Sequence, residues 1–311
     1  MGEFFHAVRV FGDQLAAVRW EYLAVALALG VAKLVFRAIA WRTILRASFP
    51  GERLRFRSVF GAYVAGVGVN SIVPARGGDA VKLYLIKHRI PDATYPTLAP
   101  TLLAETMLDM VVAGGLMLWA FAIGVLPTHQ VYAHLPAVDW RFFLHHSRAT
   151  EIGLGVTLAV AVVALLLFIE RGGDFRARVA QGFAILADPP RFLRGVVLPQ
   201  AIAWVFRIAA LYYFLLAFDV HASVHNALLV QVVESLATLF PATPGGAGTK
   251  QGLIVYIFRG QALSDSLLLA FSVGMNIANV LFGLVLGSIA LFAMARTFSW
   301  RGLKPVHDEI P

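Results

Sequence analysis

Apolar residues fall along this chain in blocks, and the breaks between blocks are either proline-glycine steps or arginine-rich loops. The first block is amphipathic: Phe4, Val8, Phe11, Leu15 and Val18 recur at steps of four and three, with Glu3, Arg9, Asp13 and Arg19 between them. That spacing predicts a helix lying in a membrane interface over residues 1–20. Continuous apolar runs follow at about Tyr22 to Ala40, Thr97 to Gly124, Ile152 to Ile169, Gly195 to Phe218 and Leu267 to Ala295. Each approaches or exceeds the roughly 20 residues needed to cross a bilayer core. Two other runs are undersized. Ser58 to Val73 stops at Pro74 and is followed only by Ala80 to Ile86, while Ala227 to Phe240 stops at Pro241 and is followed only by Leu253 to Phe258. Each pair reads as a re-entrant or broken helix hairpin. Non-helical backbone at membrane depth is tolerated only against protein or a watery cavity, so each turn is expected to mark an internal site.

Composition agrees with an all-α, polytopic helical membrane protein. Hydrophobic residues make up 59% of the 311 and charged residues 14%, with a mean hydropathy of +0.74, far too apolar for a soluble globular chain. One integral-membrane domain over residues 1–311 is expected. The net charge of +8 does not point to nucleic acid, because the basic residues sit in short loops, where the positive-inside rule places them in the cytoplasm. With no cysteine there is no disulfide, thiolate metal site or cysteine nucleophile to consider. His129, His134, His145 and His146 fall in one loop at spacings that fit no metal-ligand motif. No metal and no cofactor is expected.

Loop charges set a topology. Arg42, Arg46, Arg53, Arg55 and Arg57 mark one cytoplasmic loop, Arg171, Arg176, Arg178, Arg191 and Arg194 a second, and Arg296, Arg301 and Lys304 a cytoplasmic tail at 296–311. The amino terminus is then outside. The first hairpin enters from the cytoplasm and the second from outside.

The chain also repeats itself. Val35-Phe36-Arg37 returns as Val205-Phe206-Arg207; Pro74-Ala75-Arg76-Gly77-Gly78-Asp79 returns as a Pro241-Ala242 step leading to Gly245-Gly246; and Lys82 returns as Lys250. Three landmarks in order at nearly constant offset predict two units, 22–124 and 195–295, joined by a connecting span at 152–169. Opposed loop charges make them an inverted repeat, the layout of many secondary transporters, whose substrate site lies where the broken helices meet.

Charged residues inside the apolar runs are the candidate chemistry. Gly77, Gly78, Gly245 and Gly246 allow close backbone approach, the helix after each pair offers free N–H groups, and Arg76, Lys82 and Lys250 add charge. Arg37 and Arg207 could clamp a phosphate bidentately. Lys33, Asp79, Glu105, Asp109 and Glu234 are candidates for ion pairing or proton coupling, since intramembrane charges usually pair or serve transport. Gly245 to Lys250 bears a superficial likeness to a nucleotide P-loop, but no Ser or Thr follows the lysine and no parallel sheet is available. No catalytic constellation is visible.

On Pro74 to Asp79 with Lys82-Leu83-Tyr84, on Glu105 and Asp109, and on Pro241 to Gly248, the chain resembles the flippase-like family of the lysylphosphatidylglycerol synthase transmembrane region, from about Tyr22 to Arg296. The resemblance implies a lipid translocator. No soluble aminoacyl-transfer domain is present, which implies a stand-alone member, and Lys250-Gln251 stands where the resemblance leads one to expect an arginine or neutral residue followed by glutamate. The expected function is a flippase or scramblase of the bacterial inner membrane for an anionic phospholipid or lipid-linked phosphate. The alternatives are a membrane enzyme, or an accessory subunit of an envelope lipid-modifying enzyme, acting in headgroup or glycolipid modification.

Overall fold

The computed structural model describes residues 17–73, 76–125, 173–239, 248–258, 261 and 263–297. Among them there are helices and no strands, so the protein is an all-α polytopic membrane protein. Several expectations lie outside the described residues: the interfacial helix up to residue 16, Pro74-Ala75, the histidine loop, the connecting span 152–169, Pro241 to Ala247 with Gly245 and Gly246, and the tail from 298.

Among the described residues four helices are long and apolar enough to cross a membrane: α1 (Trp20–Ser48), α4 (Tyr95–Ala122), α6 (Pro189–Ala217) and α9 (Asp265–Thr297). At 1.5 Å per residue, the 29 residues of α1 reach about 43 Å, enough for the hydrocarbon core and both interfaces. Helices α2 (Phe56–Asn70) and α3 (Gly77–Lys87), like α7 (Val224–Leu239) and α8 (Thr249–Phe258), are too short for that. The second arginine-rich loop contains a helix that its composition hides, α5 (Gly173–Gly182). It is pinned to the end of α1 by Gln181 Nε2 donating to Ser48 O at 2.7 Å and Ser48 Oγ donating to Gly182 O at 3.3 Å.

Without water to drive apolar surfaces together, membrane helices associate by close packing at small residues and by polar contacts. Both devices are visible. α1 and α6 run antiparallel, with Tyr22 beside Tyr213 at one end and Phe36 stacked on Phe206 at a 5.5 Å centroid distance midway. α2 lies antiparallel on α9, where Gly68 and Gly287 meet so closely that a Cβ on either would come within 2.7 Å of the other's Cα. α2 and α3 form an antiparallel hairpin whose closest point is Gly66 against Gly78; a Cβ on Gly78 would stand 1.9 Å from Gly66 O. In α7 and α8 the same office falls to amides: Asn226 and Gln261 exchange two hydrogen bonds, at 2.9 and 3.1 Å, across the open end of the pair.

Two large apolar cores result, at opposite ends of α1, beside a smaller third cluster of Ala40, Ile44, Ala104, Ile185 and Val196. One gathers Leu23 and Ala26 with α7, α8 and the starts of α9 and of the α6–α7 turn. The other gathers Leu34, Ala38, Trp41 and Leu45 with α2, α3 and the start of α4. Between them the α1 sequence reads Gly30-Val31-Ala32-Lys33, and there the interior turns polar.

Candidate functional site

The polar interior is built in three parts. At the tip of the first hairpin the chain reverses through Arg76, whose φ of 60° is left-handed, so a non-glycine residue makes the turn and Gly77-Gly78 opens α3. The glycines serve the close contact with α2. One N–H of this helix start finds a side-chain acceptor within the protein, as Asn70 Oδ1 accepts from Gly78 N at 2.7 Å, and the Asp79 carboxylate sits in the first turn. Asp79 also pairs with Arg76 and Lys82, each at 2.9 Å. Lys82 is buried, with its ammonium 4.2 Å from the centre of the Tyr63 ring.

The second part is a clamp around Arg37. Glu105 and Asp109, one turn apart on α4, both reach its Nη2, at 2.7 and 2.6 Å, and Arg37 Nε donates to Glu105 Oε1 at 3.0 Å. Tyr63 Oη and Gln200 Nε2 donate to that same oxygen, at 3.1 and 3.0 Å, and Trp204 Nε1 donates to Asp109 Oδ1 at 2.9 Å. A buried ion pair is sustainable only when its remaining lone pairs and protons are also met, and here α1, α2, α4 and α6 each supply a group. Four donor contacts thus converge on one oxygen, Oε1, of the Glu105 carboxylate, which is 1% exposed.

The third part is a cavity of about 240 Å³ next to that clamp. Lys33, Arg207, Lys250, Glu234, Gln231 and Asn279 contribute to its lining. Lys250 pairs with Glu234 at 2.9 Å. Among the described residues neither Lys33 nor Arg207 has a carboxylate within ion-pair distance; the Arg207 guanidinium instead lies 4.8 Å from the centre of the Trp204 ring. The buried Gln231 spends its amide N–H on Ser235 at 3.1 Å, and its Oε1 has no partner. The cavity thus holds two basic side chains that have no ion-pair partner among the described residues, and a dry interior holds such groups charged only at high cost unless an anion or water joins them.

The residues singled out from sequence are therefore divided. Arg37, Glu105 and Asp109 form one cluster, Arg76, Asp79 and Lys82 another, and Lys33, Arg207, Glu234 and Lys250 meet at the cavity. Gln251, at the position where glutamate was expected, accepts from Gly248 N at 2.6 Å, the backward half of a capping box at the start of α8. Tyr63, Gln200, Trp204 and Gln231 were missed. Their signal was present, since each is a polar group inside an apolar run, but a single hydroxyl, amide or indole N–H in such a run does not reveal its partner.

Comparison with known proteins agrees with the geometry. The chain is 23% identical over 312 residues to a UPF0104 membrane protein of Methanothermobacter thermautotrophicus, covering 90% of this chain and 86% of that one. It is 22% identical over 269 residues to a UPF0104 membrane protein of Pyrococcus horikoshii, covering 74% of each. No solved structure matches it. The family model described as the lysylphosphatidylglycerol synthase TM region matches residues 4–287, and the chain accordingly belongs to that family of membrane proteins.

Proposed function

We propose that this protein carries the anionic, phosphate-bearing headgroup of a membrane lipid across an inner membrane, and that the buried cavity is where the headgroup passes the midplane. The observation that carries the reading is that Lys33 and Arg207 have no carboxylate within ion-pair distance among the described residues, whereas Arg37, Lys82 and Lys250 each have one. A phosphate entering there supplies the missing charge and accepts the forked hydrogen bonds of a guanidinium. Lys250 is the reserve: it leaves Glu234 for the phosphate without a change of place. The family's name, which refers to a lipid-modifying synthase, supports a lipid as the cargo.

An inverted repeat supports transport in particular. Trp20 and Pro189, Phe56 and Val224, Gly77 and Thr249, and Tyr95 and Asp265 open corresponding helices, at offsets between 168 and 172 residues. Phe36 and Phe206, equivalent residues, stack on one another, the self-contact expected where a two-fold axis passes. The two hairpins have their apolar cores at opposite ends of α1, as re-entrant pairs entering from opposite sides require. Rocking of one unit against the other around a fixed midplane site then gives alternating access.

Liposome reconstitution with tagged phosphatidylglycerol and phosphatidylcholine tests the reading. Wild-type protein is expected to move the anionic lipid faster, Arg207→Gln to reduce that rate on the order of 100-fold, and Arg207→Lys to recover part of it, since a buried charge-assisted contact is worth about 2–3 kcal/mol. Equal movement of both lipids by wild type and Arg207→Gln, or movement of neither lipid by wild type, overturns it.

A further inference from the structure

A second and larger space, about 840 Å³, opens between α1, α2 and α9. Its wall is apolar, with Phe60, Val64, Leu286 and Ile289, and its rim is basic, with Arg53, Arg55, Arg57 and Arg89. We infer that this crevice is a loading site for a two-chain lipid with an anionic phosphate headgroup: the phosphate rests among the arginines and the acyl chains lie along α2 and α9. The inference rests on the transport reading and adds to it a place where substrate waits.

Three observations support it. Arg53, Arg55 and Arg57 have, among the described residues, no carboxylate within ion-pair distance, and Arg55 and Arg57 flank the amino-terminal end of the 15-residue α2, whose dipole favours an anion. A cytoplasmic loop rich in arginine satisfies the positive-inside rule wherever its side chains point; that rule does not call for them around the rim of an apolar crevice. Second, Leu34, Val64 and Leu286 line both this crevice and the central cavity. A wall only a few apolar side chains thick therefore stands between the arginines and Lys33 and Arg207, which makes those three residues the gate. Third, the corresponding crevice of the other unit, about 570 Å³ between α4, α6 and α7, has Leu116, Trp204 and Leu228 where the first has Leu286, Leu34 and Phe60, and no lysine or arginine among the described residues that line it. Basic rims are not a by-product of this packing. The difference fits a lipid drawn from one leaflet only.

The test is competitive lipid retention by the full chain in detergent, read by native mass spectrometry with dioleoyl-phosphatidylglycerol against dioleoyl-phosphatidylcholine. Each surface arginine near an anionic lipid is worth about 5-fold in affinity, so Arg53→Gln/Arg55→Gln/Arg57→Gln is expected to lower the preference for phosphatidylglycerol on the order of 100-fold. The corresponding triple lysine variant is expected to keep most of it. Ala293→Trp places a bulky ring at an exposed position in the crevice and is expected to displace lipid while every arginine remains. Arg207→Gln separates the two readings: crevice retention persists when only the midplane site fails, and transport persists with the triple glutamine variant when only the crevice fails. Unchanged preference in the triple glutamine variant overturns the inference. So does equal competition by glycerophosphoglycerol, which lacks acyl chains and would mark a free-anion site, and so does undiminished retention in Ala293→Trp.

Discussion

Arg37 and Arg207 stand in the same tripeptide, Val-Phe-Arg, and meet opposite surroundings. Arg37 is gripped by Glu105 and Asp109 from α4; at the corresponding positions of α9, 170 residues on, the chain has Met275 and Asn279. The first arginine is ion-paired twice, and the second has no ion pair among the described residues. Arg37→Met leaves two buried carboxylates facing each other and is expected to cost about 3–5 kcal/mol, read as a large fall in melting temperature in detergent. Arg207→Met removes a buried charge that lacks an anion and is expected to leave the melting temperature unchanged or raised. If both substitutions destabilise alike, the division of roles between the two arginines is wrong. The sequence exposed both arginines and the four acids Asp79, Glu105, Asp109 and Glu234; which acid holds which arginine depended on helix rotation and crossing, and periodicity alone does not report either.

At the scale of elements, the short runs ending at Pro74 and Pro241 were legible as hairpins because length alone forbids either run to span. The use of the glycines was not. Sequence reasoning gave Gly77-Gly78 a turn and an opening for ligand, whereas Arg76 makes the turn and Gly78 closes the hairpin on Gly66. A methyl group at residue 78 would lie 1.9 Å from a backbone oxygen, and backbone, unlike a side-chain tip, has no alternative rotamer. Gly78→Ala is expected to destabilise by about 1–3 kcal/mol through overpacking. Gly114→Ala, on α4 where nothing lies within 4 Å of a built Cβ, is the control and is expected to be neutral or slightly stabilising. Equal melting temperatures for the two variants would show that the hairpin does not depend on the contact. Helix α5 went unseen because Gly173-Asp-Phe-Arg-Ala-Arg-Val-Ala-Gln-Gly182 has too few apolar positions to show a face; its order comes from the end of α1.

For the whole molecule, the proposed inverted topology makes a prediction about sidedness. The chain has no cysteine, so single cysteines can be introduced against an empty background. His88, after the first hairpin, and His221, in the turn before α7, are both exposed. In intact cells an impermeant maleimide is expected to label His221→Cys and to spare His88→Cys until the membrane is opened. Labelling of both from the same side would remove the inverted topology and, with it, the case for alternating access around the cavity.

By itself the sequence determined the class, four of the long spans, the short helices that cannot span alone and the list of charges inside apolar runs, because each of these follows from local hydropathy or from the cost of placing charge and free backbone in hydrocarbon. Only the tertiary structure decided which charges cancel. Ion pairing needs atoms within a few ångströms, and residues 68 or 72 apart in the chain, such as Arg37 with Glu105 and Asp109, reach that distance only through the antiparallel crossings that Gly66, Gly68, Phe36 and Phe206 permit. Lys33 and Arg207, on which the functional reading turns, are the two cavity cations that those crossings leave without an ion-pair partner among the described residues.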